Sequence, residues 1–391
     1  MTHDLIPFVD LYAQHAEIRA ELDGAIAAII DRSTFIGGEP VAAFEREFAA
    51  YLGVKEAVAL ASGTDGLWLG LYTAGVKAGD AVITVPNTFI ATTEAITRLG
   101  AQPLFVDIDL ETALLDLNAL QVFLDRDCRR DGGGRTVHKA SGRPVRAIVP
   151  VHLYGLPVDT AALMSVVEPH GIRIVEDACQ AHGARYRAGG AWVHAGKLGA
   201  SGAFSFYPGK NLGALGDAGA IVTDDPETAA LMRRLREHGA EEKYRHLTAD
   251  GWTARLDSLQ AAVLSIKLKK LDEWNARRKR IAAHYREALA GLPLALPAEP
   301  DYAEHVFHLY VVRSERRDWL RQELSKLGIQ TGLHYPLPLH LQPAYAQMGL
   351  GPGSFPNAER SAATGLSLPM HPTLTLEQVE RVGAACAKIL L

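Results

Sequence analysis

From about residue 57 to residue 240 the chain repeats one unit: a short apolar run rich in β-branched residues, a polar break, then a helix-length stretch. The runs are Ala57-Val58-Ala59-Leu60-Ala61, Ala81-Val82-Ile83-Thr84-Val85, Pro103-Leu104-Phe105-Val106, Ala147-Ile148-Val149-Pro150-Val151, Ile172-Arg173-Ile174-Val175 and Gly219-Ala220-Ile221-Val222-Thr223. Runs this apolar have no polar face to offer water, so they belong in a sheet covered on both sides. Strands separated by helices join in parallel. The repetition predicts βαβ units around a mainly parallel sheet, an α/β fold whose chemistry gathers at the carboxyl ends of the strands.

The pattern changes after about residue 245, with a charged helical stretch from Asp257 to Arg286, a Pro-rich passage from Leu292 to Pro300, then a strand over His308–Arg313 and a helix over Arg317–Leu327 ended by Gly328. We therefore expect a large domain over 1–245 and a smaller α+β domain over 246–391, in line with the two domains that 391 residues usually form. Residues 125–144 interrupt the large domain with six basic residues against three aspartates. This insertion reads as a solvated, mobile surface loop, ahead of a role in oligomer contact or in binding a nucleotide diphosphate.

A net charge of −5 gives no reason to expect nucleic acid or an anionic membrane as a partner, and no apolar run is long enough to span a bilayer. With Asp4, Asp10 and Glu17 near its start, the N-terminus lacks the order of a signal peptide, so the expected location is the cytoplasm. The three cysteines, Cys128, Cys179 and Cys386, are too few and too scattered for a disulfide framework or a zinc site, and Cys179 reads as a small buried turn residue. Two prolines between His334 and His340 rule out a helical metal pair there.

The chemistry concentrates between residues 176 and 213. Asp177 follows the Ile172–Val175 strand in Glu176-Asp177-Ala178-Cys179-Gln180-Ala181-His182-Gly183-Ala184. After a second short strand, Phe204-Ser205-Phe206-Tyr207-Pro208-Gly209-Lys210-Asn211-Leu212-Gly213 carries Lys210 into a polar loop. A carboxylate at a strand end and a loop lysine are what pyridoxal phosphate needs: the lysine holds the aldehyde as a Schiff base, and the acid keeps the ring nitrogen protonated. Ser205 is placed to donate to the cofactor phosphate, and Gln180 to touch the ring edge. Ser62-Gly63-Thr64-Asp65 opens a helix directly after the first strand, where free N–H groups and the helix dipole favour a phosphate; a plain N-cap is the competing reading. Alone, Asp177 reads as a turn cap and Lys210 as a surface lysine.

These segments, with Phe35-Ile36-Gly37-Gly38, Pro86-Asn87-Thr88-Phe89-Ile90-Ala91-Thr92, Pro150-Val151-His152-Leu153-Tyr154-Gly155, Gly216-Asp217, Arg255-Leu256-Asp257-Ser258-Leu259-Gln260-Ala261-Ala262 and His334-Tyr335-Pro336, closely resemble the DegT/DnrJ/EryC1/StrS family of pyridoxal phosphate enzymes almost end to end. The resemblance implies the aspartate aminotransferase-like fold, known as fold type I, and an aminotransferase acting on a nucleotide-linked keto-sugar with L-glutamate as the expected donor. It assigns catalysis to Lys210 and Asp177. Cofactor binding falls to Gly63, Thr64, Phe89 as the aromatic stacked on the ring, Asp177, Gln180, Ser205, Lys210 and Thr253. Contact with the sugar nucleotide falls to Phe35, Arg255, His334 and Tyr335. It further implies a homodimer with shared active sites. Trp252 and the wording from Phe204 to Ala214 lean towards a deoxythymidine diphosphate 3-keto-6-deoxyhexose.

One departure stands out. Where the family carries Gly-aromatic-Asn, with the Asn reaching the partner's cofactor phosphate, this chain has Gly251-Trp252-Thr253. Threonine offers a shorter reach and one donor instead of two. The rival readings are a sugar dehydratase, in which histidine replaces the lysine, and a non-catalytic regulatory protein of the same fold, which would have lost Lys210 or Asp177.

Overall fold

A computed structural model describes residues 5–391 and is centred on a seven-stranded sheet. Its strands are β1 (Glu56–Leu60), β2 (Ala81–Thr84), β3 (Gln102–Phe105), β4 (Val145–Ile148), β5 (Arg173–Asp177), β6 (Ser201–Ser205) and β7 (Gly219–Thr223). Their spatial order is β1-β7-β6-β5-β4-β2-β3. The pairs β2–β3, β2–β4, β4–β5 and β5–β6 are parallel, whereas β7 runs antiparallel to both β1 and β6. The reversal has a simple cause: β6 and β7 are joined by a loop with no crossover helix, so the chain must come back antiparallel. That loop carries Lys210.

Val58, Ala59, Val82, Ile83, Ala147, Ile148, Val175 and Ile221 are fully buried, as expected of strands covered on both faces. Helix α1 (Gly63–Thr73) starts immediately beyond β1, with the side chain of Ser62 accepting from the N–H of Asp65. Helix α2 (Ala91–Arg98) follows the loop after β2.

The charged stretch beginning at Asp257 forms two helices, α3 (Ser258–Leu268) and α4 (Leu271–Ala288). Strand β8 (Tyr310–Arg313) pairs antiparallel with β9 (Gly365–Leu368), and these pack with Tyr285, Leu320, Val379 and Val382 into a separate apolar cluster. Ile6 belongs to that cluster, forms a parallel bridge with Ile329, and so ties the N-terminal segment to the C-terminal part.

The insertion is not a mobile loop. Cys128–Arg130 and Thr136–His138 pair as a hairpin, whose Gly132-Gly133-Gly134 turn is held by Asp131 Oδ1 accepting from the N–H groups of Gly133 and Arg135. Arg130 donates to the carbonyls of Pro169 and His170, and Thr136 Oγ1 donates to His170 O at 2.8 Å. Composition marks this stretch as polar, but the burial of Cys128, Thr136 and Val137 decides its order. Among the described residues no helix is long and apolar enough to cross a membrane, and no group of three or more metal-ligating side chains gathers.

Candidate active site

A cavity of ≈ 590 Å³ opens at the carboxyl ends of β5 and β6 and at the start of α1. Asp177, the last residue of β5, is 6% exposed, and its neighbour across the parallel pair is Ala203 of β6. Its carboxylate is fixed by two donors: Thr92 Oγ1 to Oδ2 at 2.8 Å and the Cys179 N–H to Oδ1 at 3.2 Å. Thr92 is itself 2.9 Å from the hydroxyl of Thr88. Behind Asp177, buried Glu176 pairs with His152 at 2.9 Å and accepts from the N–H groups of Gly196 and Gly199. Burial pushes the Glu176 carboxyl up, but His152 and these N–H donors outweigh it and hold it below its usual range. The strand end is thus anchored on both sides of the sheet plane.

Lys210 faces the same cavity. Burial moves its amine pKa below the ordinary lysine value, against the opposing pull of Cys179 and Asp177. His334 is pushed down to about 4 and His182 to about 3, each first by burial and then by Lys210. These imidazoles are neutral at physiological pH, so neither adds a positive charge beside Lys210.

The start of α1 presents the N–H groups of its first turn beside Ser205. A Cβ at Gly63 would lie 2.7 Å from Ser205 Cβ and 2.8 Å from Cys179 Sγ, and one at Gly219 would lie 2.2 Å from the Ser62 carbonyl carbon. Both glycines are there because backbones and side chains approach too closely for any side chain. Gly63→Ala is expected to cost about 1–3 kcal/mol of stability by overpacking and to weaken phosphate-group binding at the helix start. Thermal denaturation and a cofactor titration of the variant would check both; an unchanged pair of values refutes the cradle.

Gln180 bridges two further walls. Its Oε1 accepts from the Tyr154 N–H at 2.8 Å, and its Nε2 donates to the Tyr335 hydroxyl at 3.2 Å. Tyr335 lies 5.8 Å from Phe89, ring to ring, and Phe89 keeps 55% of its surface exposed. His334 stacks on Phe8 at 5.6 Å and its Nδ1 is 2.8 Å from Ser367 Oγ.

The structure therefore brings Gly63, Thr64, Phe89, Asp177, Gln180, Ser205, Lys210, His334 and Tyr335 to one cavity. Phe35, Thr253 and Arg255 do not line it. They sit on neighbouring backbone joined by the bridges Ile36–Asp257, Leu60–Arg255 and Glu237–Thr253, with Arg255 donating to Glu237 at 2.7 Å and Thr253 Oγ1 2.7 Å from His238 Nε2. The donor set fits pyridoxal phosphate: a lysine biased towards the free amine, a fixed carboxylate, helix N–H groups with a serine hydroxyl, and an exposed aromatic face.

A family profile matches residues 16–387, nearly the whole chain. The chain belongs to the DegT/DnrJ/EryC1/StrS aminotransferase family. Within it, the chain is 46% identical over 378 residues to the dTDP-3-amino-3,4,6-trideoxy-alpha-D-glucose transaminase of Streptomyces venezuelae, covering 96% of this chain and 94% of that one. It is 45% identical over 378 residues to the erythromycin biosynthesis sensory transduction protein EryC1 of Saccharopolyspora erythraea, covering 96% and 97%. Among solved structures, S. venezuelae DesV in complex with a ketimine intermediate superposes with a TM-score of 0.90 at 44% identity, covering 98% of both chains. The mixed, mainly parallel sheet is the α/β fold of this aminotransferase family.

Sequence reasoning passed over several residues of this DegT/DnrJ/EryC1/StrS site. Thr88 and Thr92 lie inside the Pro86–Thr92 segment, and their four-residue spacing around a helix start is the available signal. Phe8, Val9, His308 and Met370 also line the cavity, yet lie far from it in sequence. Cys179 is more than a packing residue: its sulfur borders the cavity beside Gly63, although burial and Asp177 push its thiol well above the ordinary range and leave it unreactive.

Proposed function

We propose that this chain is an aminotransferase that moves an amino group from L-glutamate to the keto group of a dTDP-linked deoxysugar. The observation that carries the reading is the convergence of Lys210 and Asp177, from adjacent strand ends, on one cavity that begins at the N-terminus of α1. The sugar class comes from the S. venezuelae relative, which is named as a dTDP-amino-deoxysugar transaminase. A cytoplasmic location belongs to the same reading.

Bound pyridoxal phosphate would supply an electron sink for the charge left when a substrate carbon loses its proton. Asp177, held by Thr92 and the Cys179 N–H, would present its carboxylate to the ring nitrogen and keep that nitrogen protonated. Ser205, Gly63 and Thr64 would hold the phosphate, and Phe89 would offer its face to the ring. Lys210 would anchor the cofactor aldehyde between turnovers. Once displaced, its Nζ would be the base that takes the proton from the substrate carbon and the acid that delivers it to the former aldehyde carbon across the nitrogen, a role worth about 10²- to 10⁴-fold. Burial favours the neutral amine that this step needs. His334 and Tyr335 face the sugar end of the cavity.

Phe35, Thr253 and Arg255 complete the cavity of a second copy in this reading. Phe35 and Ile36 expose 50% and 54% of their surface, the kind of apolar pair that a partner covers. The Arg255 guanidinium, now paired with Glu237, suits a diphosphate by its planar fork. Sedimentation should give a dimer. Thr253→Asn is expected to tighten cofactor binding, because the longer amide adds a donor towards the partner's phosphate. A dissociation constant that stays the same or rises would refute the cross-subunit role of this position.

The test is the visible absorbance of the purified protein before and after L-glutamate, without sugar. Bleaching of a yellow band to the near-ultraviolet form establishes the donor half-reaction, and a panel of keto-sugar nucleotides then identifies the acceptor. A yellow protein indifferent to every amino donor supports the dehydratase or regulatory reading instead.

A further inference from the structure

His308, just before β8, lines the cavity and has no role in the mechanism above. Its Nδ1 lies 3.1 Å from Asn211 Oδ1. Asn211 follows Lys210 and is 1% exposed, and its Nδ2 meets two groups: Val306 O at 3.1 Å and Asn275 Oδ1 at 2.9 Å. A backbone carbonyl only accepts, so the Asn211 atom facing Val306 must be the NH₂ and the atom facing His308 must be the oxygen. The same logic fixes Asn275, whose Nδ2 donates to the His182 carbonyl at 2.8 Å. The relay is therefore directional, and it requires the proton of His308 to sit on Nδ1. Its Nε2 is left with a lone pair, and among the described residues it has no hydrogen-bond partner and is not one of the buried unpartnered atoms.

The surroundings keep this imidazole neutral. Burial comes first, followed by Lys210, Arg278, His334 and His182, and together they push His308 well below its ordinary value. Arg278 Nη1 also grips the backbone here, donating to Phe307 O at 3.2 Å, His308 O at 3.4 Å and Met370 O at 3.0 Å. The ring is thus fixed in place as well as in tautomer.

We propose that His308 is a specificity-determining residue: its Nε2 accepts a hydrogen bond from a hydroxyl of the nucleotide-linked sugar and disfavours an anionic group at the same place. The inference rests on the functional reading above and adds the polarity of one wall of its sugar site. A fixed neutral acceptor selects a donor, whereas a carboxylate or phosphate oxygen would bring a second lone pair against it.

Nitrogen-15 NMR of histidine-labelled protein at neutral pH should show His308 protonated on Nδ1 and bare on Nε2; the opposite tautomer or an imidazolium overturns the proposal before any assay. Calorimetry with a dTDP-amino-sugar should then show His308→Leu binding about 10- to 100-fold more weakly, the range for leaving one buried polar partner unmet. His308→Gln, which keeps an acceptor, should recover much of that loss. In kinetics the loss should appear in the KM for the keto-sugar and exceed any change in the glutamate half-reaction at least tenfold. Equal losses in both halves, or equal sugar binding by wild type and His308→Leu, would mean that the residue is structural. A wild-type protein that binds no nucleotide sugar at all refutes the functional reading itself, and that result is distinct from a sugar bound equally well without His308.

Discussion

Lys210→Ala is expected to reduce transamination by at least about 10³-fold, since in the proposed mechanism it removes both the covalent anchor and the proton carrier in one change. The fold should survive. Lys210 sits in the loop between β6 and β7, whose backbone is held by the Lys210 N–H to Tyr207 O contact at 2.8 Å and by the Asn211 relay, neither of which needs the amine. Burial depresses the Lys210 pKa in the folded state, so the unfolded chain binds the proton more tightly. Below the ordinary lysine pKa of 10.5 this group therefore opposes folding, and the penalty fades as pH rises from the folded pKa towards that value. The alanine variant should accordingly melt no lower than wild type at neutral pH. His334 and His182, now pushed down in part by Lys210, should titrate closer to their ordinary range. Turnover with glutamate and a keto-sugar nucleotide, together with a thermal melt, checks all of this. Steady turnover within about tenfold of wild type would remove Lys210 from the mechanism.

Asp177→Asn should come second in size. The carboxylate is 6% exposed, and once a cationic ring nitrogen sits against it the pair is desolvated. Removing one partner of a buried pair costs about 3–5 kcal/mol, or two to three and a half orders of magnitude in a rate or binding constant. The apo protein should tolerate the change, because Thr92 Oγ1 can turn from donor to acceptor against an amide nitrogen, and the amide oxygen can still take the Cys179 N–H. The expected signature is a protein of normal thermal stability that loses activity and holds the cofactor weakly. An asparagine variant with wild-type activity would show that another group protonates the ring.

Much of this site could be read in the chain itself. Asp177 and Lys210 follow short apolar runs by two and five residues, and a strand end is a fixed place in an α/β sheet, so residues just beyond such a run are placed almost as soon as the run is recognised. Gly63 and Thr64 follow by the same rule from β1, and Gln180 and Ser205 lie within a few residues of the two central groups. In each case the functional residue is local to the element that carries it.

What the chain could not reveal are the contacts between segments far apart in sequence. Thr92 reaches Asp177 across 85 positions, and His308 reaches Asn211 across 97. Phe8 joins the cavity beside Ile6, which is buried among C-terminal side chains, and stacks on His334. The hairpin at Cys128–His138 is ordered by the carbonyls of Pro169 and His170, which composition does not register. Periodicity reports which face of an element is apolar, not what packs against it. By itself, then, the sequence marked the strands of the sheet and the strand-end positions of Asp177, Lys210 and the Ser62–Asp65 helix start, all of which depend on local pattern. Tertiary structure alone decided the orientation of that carboxylate, the tautomer of His308 and the absence of Phe35, Thr253 and Arg255 from their own cavity, because each depends on which distant group occupies the neighbouring space.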